Sequence, residues 1–245
     1  MWNPGNEAGK EDVKPRIPPA TVQRLPLYVQ ALKALAREGE ELISSQRLAM
    51  ETGIEAAKIR RDFSYLGAFG TPGVGYAVTD LLHEVSHYLG LSRIWPVALI
   101  GYGKLGSALA AYAGFAERNF QIVAIFDSNP QRVGLRVGDL KVLHTDQLPK
   151  TVGEMGIDIA IIATPAATAQ EAADRLIGAG ITSILNFAPT TLAAPATVAV
   201  RNIDLAAEMQ ILSFHETMKQ NFGLRYPVQP SMERQVSRWL KEQLQ

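Results

Sequence analysis

From Pro18-Pro19 onward, apolar residues at Leu25, Val29, Leu32 and Leu35/Ala36 recur every three or four positions until Glu38-Gly39 breaks the run. That spacing describes one buried helix face. Ser44-Ser45 can cap a second, short helix reaching about Thr52, which Gly53 stops. A third helix is predicted from about Glu55 to Leu66, with Ile59, Phe63 and Leu66 on one face, and a fourth from about Val78 to Leu89, ending at Gly90. Between them Gly67, Gly70, Gly73 and Gly75 punctuate the stretch GAFGTPGVGY. Such glycine density excludes helix and suits a tight two-stranded ribbon.

The pattern changes at Trp95-Pro96. Short continuous apolar runs follow: Val97 to Ile100, Gln121 to Phe126, Ile157 to Ala163, Ile181 to Leu185 and Thr197 to Val200. They alternate with helical stretches such as Ser107 to Ala113 and Ala167 to Ile177. Strands apolar on both faces and separated by helices predict a parallel sheet covered on each side. The expected class is α/β: an N-terminal winged helix, then a Rossmann-type, doubly wound parallel sheet. Expected limits are a flexible tail over 1–15, the winged helix over 16–93 and the sheet domain over 94–204. A helix over 205–222 and an extension over 223–245 follow.

Composition narrows the chemistry. The 245 residues contain no cysteine, which excludes a disulfide framework, thiolate zinc, a catalytic thiol and a thiol redox switch. The longest weakly polar run, Ile157 to Ala169, is too short for a membrane span, and Met1 to Lys10 lacks the apolar core of a secretory signal. A soluble cytoplasmic protein is expected, with no membrane partner. Lys+Arg and Asp+Glu balance at 24 each. Indiscriminate coating of nucleic acid is therefore disfavoured, whereas a local basic surface is not.

Directly after the first predicted strand stands Gly101-Tyr102-Gly103-Lys104-Leu105-Gly106, followed by small residues that continue as helix. In a dinucleotide-binding turn the first glycine permits the tight turn, the second lets backbone approach a pyrophosphate, and the third lets helix pack on strand. Asp127 lies 21 residues beyond Gly106, at the end of the next predicted strand. An acid there accepts hydrogen bonds from the adenosine ribose and repels a 2′-phosphate. Ser128 and Asn129 follow, with no arginine immediately offsetting that repulsion, so NAD+/NADH is the expected ligand in preference to NADP(H). Thr164-Pro165 and Asn186-Phe187-Ala188 sit in loops at later strand ends, which face the same crevice. Either loop also fits a plain chain reversal.

Nothing equips this crevice for hydride chemistry, which needs a placed proton donor. No tyrosine is followed four positions later by lysine, and His83 and His87 share helical metal-ligand spacing without a third ligand pattern. His144 falls in a predicted loop and His215 in a late helix. No catalytic residue and no metal ligand is assigned. Residues 94 to about 205 hold one nucleotide domain with no substrate domain after it, which suggests sensing.

The second and third helices, joined at Thr52-Gly53-Ile54, have helix-turn-helix size, and the glycine-rich ribbon after them makes the unit a winged helix. Lys58, Arg60 and Arg61 lie opposite the apolar face of the third helix. Together with Arg47, Ser64 and Tyr65 they form the candidate set that contacts double-stranded DNA. From Leu42 to Thr79 four cations face three acids, so a merely solvated face is the plain alternative.

The combination resembles the bacterial redox-sensing repressor family Rex over about residues 18–222. The resemblance rests on Ala20 to Leu25, Lys58 to Gly67, Phe69 to Tyr76, Gly101 to Gly106, Asn186 to Pro189 and Asn202 to Asp204. It implies a homodimer in which the helix over 205–222 is swapped onto the partner, with Phe214 reaching the partner's nicotinamide. It also implies a palindromic operator, held when NAD+ predominates and released on NADH binding. Arg24, Tyr102 and Asp204 match residues that exchange hydrogen bonds between the two states. Their plainer roles are, respectively, a surface cation, a residue lining the phosphate turn and a helix N-cap. Pro72 departs from the family, whose wing carries a cation before the glycine at 73. Beyond Phe222, Ser231 can cap a terminal helix with Met232, Val236, Trp239 and Leu240 on one face. Two other readings stay open: an NAD-dependent oxidoreductase with a helical dimerisation domain, and a DNA-binding protein whose Rossmann domain holds another effector, such as an acyl-nucleotide.

Overall fold

The computed structural model describes residues 17–67, 70–71 and 73–223. The expected tail over 1–15, Phe69 and Pro72 of the ribbon, and the terminal helix with Ser231, Met232, Val236, Trp239 and Leu240 lie outside the described residues. A first unit ends at Gly90 and a second begins at Leu91.

The first unit opens with α1 (Pro19–Arg37), which starts on a proline where no intrahelical N–H is needed. Its buried face carries Leu25, Tyr28, Val29, Leu32 and Leu35. After β1 (Leu42–Ile43) comes α2 (Ser45–Thr52), capped by Ser44, whose hydroxyl accepts from the Arg47 N–H at 3.1 Å, and closed by Gly53. Then follow α3 (Ala56–Leu66), β2 (Tyr76–Ala77) and α4 (Val78–Tyr88). Phe63 of α3 meets Tyr28 edge-on at 5.2 Å and Tyr76 at 5.3 Å, which ties α1, α3 and β2 into one core.

Within the glycine-rich stretch Thr71 and Gly75 exchange N–H to carbonyl hydrogen bonds, at 3.0 and 3.1 Å, in a tight antiparallel reversal. Among the described residues this is the single bridge within the stretch. The strand that leaves it, β2, pairs antiparallel with β1, upstream of α2, with Ile43 opposite Tyr76. Glycines offer no side chains for cross-strand contacts, so pairing consolidates only where Tyr76 and Ile43 bring apolar area.

The second unit contains β3 (Trp95–Ile100), α5 (Lys104–Ala110), α6 (Ala113–Ala116), β4 (Phe120–Asp127), β5 (Arg136–Val137) and β6 (Leu140–His144). A 3-10 turn (Thr145–Gln147), α7 (Leu148–Met155), β7 (Ile159–Ile162), α8 (Ala166–Gly178), β8 (Ser183–Asn186), β9 (Ala199–Asn202) and α9 (Leu205–Phe222) complete it. Strand order is β5-β6-β4-β3-β7-β8-β9, parallel throughout except for β5. Alternate residues of each central strand feed opposite faces: Ala98, Ile100, Phe126 and Ile162 on one, Val97, Leu99, Ile125 and Ile161 on the other. Burial on both faces explains the unbroken apolar runs. The chain steps from β3 to β4 on one side and later to β7 on the other, and this reversal opens a crevice at the strands' C-terminal ends.

The β5–β6 hairpin and α7 carry no continuous apolar run and were not predicted. His144 is not in a loop; it is the last residue of β6, in register with Asp127. Among the described residues no helix is long and apolar enough to cross a membrane.

Candidate functional site

In the first unit, α3 buries Ile59, Phe63 and Leu66 and leaves Lys58, Arg60, Arg61 and Ser64 exposed, with Tyr65 half-buried. Lys58 Nζ stands 3.3 Å from Glu55 and Arg47 Nε 3.2 Å from Glu51. Arg60 Nη1 donates to Ser45 Oγ at 2.9 Å, and Arg61 Nε to the Tyr65 hydroxyl at 3.2 Å. The two ion pairs, at the surface, contribute about 0–1 kcal/mol each, so an anionic ligand displaces them readily. An open groove of about 630 Å³ separates the start of α2 and α3 from residues 70–76, with Ser44, Ser45, Arg60, Ser64 and Tyr76 on its walls.

The inner face of α3 holds a residue that periodicity did not single out. Asp62 is buried and accepts hydrogen bonds from Thr21 Oγ1 at 2.8 Å, Arg24 Nε and Nη2 at 2.7 Å each, and the Tyr28 hydroxyl at 2.6 Å. Burial alone pushes its carboxyl up, but the donors from Arg24, Tyr28 and Thr21 outweigh that and hold it below the ordinary value. The same contact raises the Arg24 guanidinium, while burial and the neighbouring carboxylate raise the Tyr28 hydroxyl. Arg24 is thus no free surface cation: it clamps α1 to α3.

In the second unit the turn after β3 has Gly101 at φ +94°, and a Cβ there would stand 2.7 Å from the Ala163 carbonyl oxygen. A Cβ on Gly106 would lie inside the Gly101 carbonyl, so helix and turn touch backbone to backbone. Gly103 is different: a Cβ there meets only Arg132 Nη1, at 3.9 Å. It is the N-cap of α5, where the first N–H groups have no intrahelical acceptor. Lys104 and Leu105, in the first turn of α5, are exposed.

Asp127, at the end of β4, is buried. Its Oδ2 accepts from the Tyr102 N–H at 2.8 Å and Arg132 Nη1 at 3.1 Å, and its Oδ1 from the Asn129 N–H at 2.8 Å. Burial favours the neutral acid, yet the backbone donors of Asn129 and Tyr102 and the Arg132 guanidinium hold the carboxyl below its usual range. No arginine follows Asp127 immediately, as Ser128 and Asn129 show, but one reaches it from further along the turn. The turn after β4, closed by Arg132 N–H to the Asn129 carbonyl at 2.9 Å, brings back a cation five positions downstream.

Thr164 follows β7 against Gly101, and its Oγ1 is buried with no hydrogen-bond partner. Pro165 is exposed at the N-cap of α8. Asn186 is committed inward: its Nδ2 donates to the carbonyls of Ala188 and Thr190 and to Asn202 Oδ1, and its Oδ1 accepts from the Ala188 N–H. It holds the loop carrying Phe187 and Ala188 in place. Asp204 caps α9, accepting from the N–H groups of Ala206 and Ala207. No residue of α9 is buried, and Leu205, Met209, Ile211, Leu212, Phe214 and Phe222 are each at least half exposed. Among the described residues no group of three or more His, Asp or Glu side chains is placed to hold a metal ion.

Residues 16–64 match the family described as putative DNA-binding protein N-terminus, and residues 92–190 match the CoA binding domain family. The chain is similar to a redox-sensing transcriptional repressor Rex of Streptomyces avermitilis, 52% identical over 203 residues, which cover 83% of this chain and 81% of the relative. It is similar to the crystal structure of RSP in complex with β-NAD+ and operator DNA, with TM-score 0.80, 34% identity, and 85% of this chain and 96% of the other covered. The RSP complex with β-NADH gives TM-score 0.76 at 33% identity, covering 84% and 97%. With identity this high over four-fifths of its length, the chain belongs to the Rex family of redox-sensing transcriptional repressors.

Proposed function

We propose that this protein represses transcription by holding operator DNA when NAD+ predominates and releasing it when NADH binds. The observation that carries the reading is the glycine turn after β3: the Thr164 side chain, whose buried hydroxyl lacks a partner, lies against Gly101, Gly103 leaves its Cα open, and the Tyr102 N–H between them donates to the Asp127 carboxylate. A buried hydroxyl left unpaired costs about 1–3 kcal/mol, which a ligand oxygen or amide relieves. Gly101 to Gly106 suit the pyrophosphate, Asp127 the adenosine ribose, and Thr164, Pro165 and the Phe187-Ala188 loop the nicotinamide end. The dinucleotide acts here as a regulatory ligand, and the protein is not an enzyme.

The two oxidation states of the nicotinamide differ in charge and planarity, so only groups near that ring can tell them apart. Such a group shifts a conformational equilibrium only by its differential affinity for the two arrangements, and the operator must weaken NADH binding by the same factor. Tyr102, Arg24 and Asp204 are the proposed carriers of that change. The exposed apolar side chains of α9 favour a homodimer in which this helix packs on a second copy and brings Phe214 to its nicotinamide. Two-fold symmetry then places two α3 helices, with Lys58, Arg60, Arg61, Ser64 and Tyr65 assisted by Arg47, on the half-sites of a palindromic operator in the cytoplasm. The proposed divisions are 1–15, 16–93, 94–204, 205–222 and 223–245, and no metal takes part. Operator affinity measured across a series of NADH/NAD+ ratios should fall as NADH rises; an unchanged affinity would sink the reading.

A further inference from the structure

The Asp127 carboxylate is already occupied. Oδ2 accepts two hydrogen bonds, from the Tyr102 N–H and Arg132 Nη1, which fills its capacity, while Oδ1 accepts one and keeps one site. A ribose diol binding both oxygens needs one free site on each. The Tyr102 donor is backbone, fixed by the turn. Arg132 is a side chain, 42% exposed, and it alone can withdraw. Its backbone cannot go far, because the Arg132 and Val133 N–H groups both bond the Asn129 carbonyl, at 2.9 and 3.2 Å. The displaced guanidinium therefore stays beside the ribose.

We propose that Arg132 is a specificity-determining residue that sets how strictly this site excludes a 2′-phosphorylated dinucleotide. The inference rests on the dinucleotide reading above. Its physical basis is a competition. Asp127 repels a 2′-phosphate, while the Arg132 guanidinium cancels that charge and presents a planar set of donors matched to phosphate oxygens. Discrimination by this crevice is the balance of the two, not the work of the acid alone. Arg132 Nη1 also lies 3.9 Å from where a Gly103 Cβ would stand, so the cation spans the gap between the ribose acid and the phosphate turn.

The test uses the full chain with ADP-ribose and 2′-phospho-ADP-ribose, then NADH and NADPH, weak binders being read by competition against NADH fluorescence. In Arg132→Ala the ratio of dissociation constants, phosphorylated over unphosphorylated, should rise about ten- to hundredfold, the value of a charge-assisted hydrogen bond. Arg132→Lys keeps the charge and should hold the ratio near that of the parent. Asp127→Ala should move the ratio the opposite way. An unchanged ratio in Arg132→Ala overturns the proposal, and so does an equal rise in Arg132→Lys, which would mark lost packing instead of lost charge. Failure of the parent protein to bind NADH or ADP-ribose is a separate outcome that overturns the dinucleotide reading itself.

Discussion

The Asp62–Arg24 pair of the first unit and the Asp127–Arg132 pair of the second show how the same chemistry serves opposite ends. Asp62 and Arg24 meet at 2.7 Å, with the aspartate side chain 2% and the arginine side chain 27% exposed, and Thr21 and Tyr28 complete four hydrogen bonds to the acid. Every acceptor site is filled from within, so the pair fixes α3 and offers nothing to a ligand. Asp127 and Arg132 meet at 3.1 Å, but this cation is 42% exposed and one acceptor site on the acid stays open. The first acid has no acceptor site left for a ligand; the second keeps one, beside a partner that can move.

The largest expected effect comes from breaking the saturated pair. Asp62→Ala leaves Tyr28 and Arg24 without their acceptor and should destabilise the first unit by about 3–5 kcal/mol, read by chemical denaturation. The pair also predicts a pH dependence of defined sign. Asp62 is held below its ordinary value of 3.8, so its contribution is present above that pH and disappears as pH falls through the lower native value. Acid unfolding followed by circular dichroism should show this loss, and Asp62→Asn should flatten it. A parent protein and Asp62→Asn with identical acid profiles would contradict the assignment.

A smaller effect is expected on the exposed side of the same helix. Arg60→Ala should weaken operator binding by about 1–3 kcal/mol per half-site in a gel shift and leave NADH affinity unaltered. An unaltered gel shift would remove Arg60 from the reading set.

The smallest effect sharpens the contrast from the crevice side. Thr164→Val removes a hydroxyl that has no partner within the chain, so stability should hold or rise slightly while NADH binding weakens about two- to tenfold. A loss of stability with intact NADH affinity would make Thr164 part of the scaffold.

Much of this organisation is legible in local pattern. The period of Leu25, Val29 and Leu32 marks α1, Ser44 and Gly53 bracket α2, and the glycines of 101–106 between an apolar run and small residues mark the turn. Asp127 was placed at its strand end because that strand is apolar on both faces and ends where polarity begins. The hairpin of β5 and β6 leaves no periodic signal, because β5 is a two-residue edge strand and the five residues of β6, inside the sheet, are interrupted by Lys141. His144, at the end of β6, is hidden with them.

What the chain by itself determined is the set of elements and the residue types at their ends, since both follow from nearest-neighbour spacing: 3.6 for helices, continuous runs for buried strands, glycine where backbone must close up. What only the tertiary structure decided is which charges are spent. In sequence Asp62 was one acid set against three nearby cations of the same helix, and Arg132 was a cation five places past Asp127. Folding brings Arg24 across 38 positions to cancel the first acid and curls the β4 turn so that Arg132 reaches the second. Charge pairing depends on distance in space, which spacing along the chain does not encode.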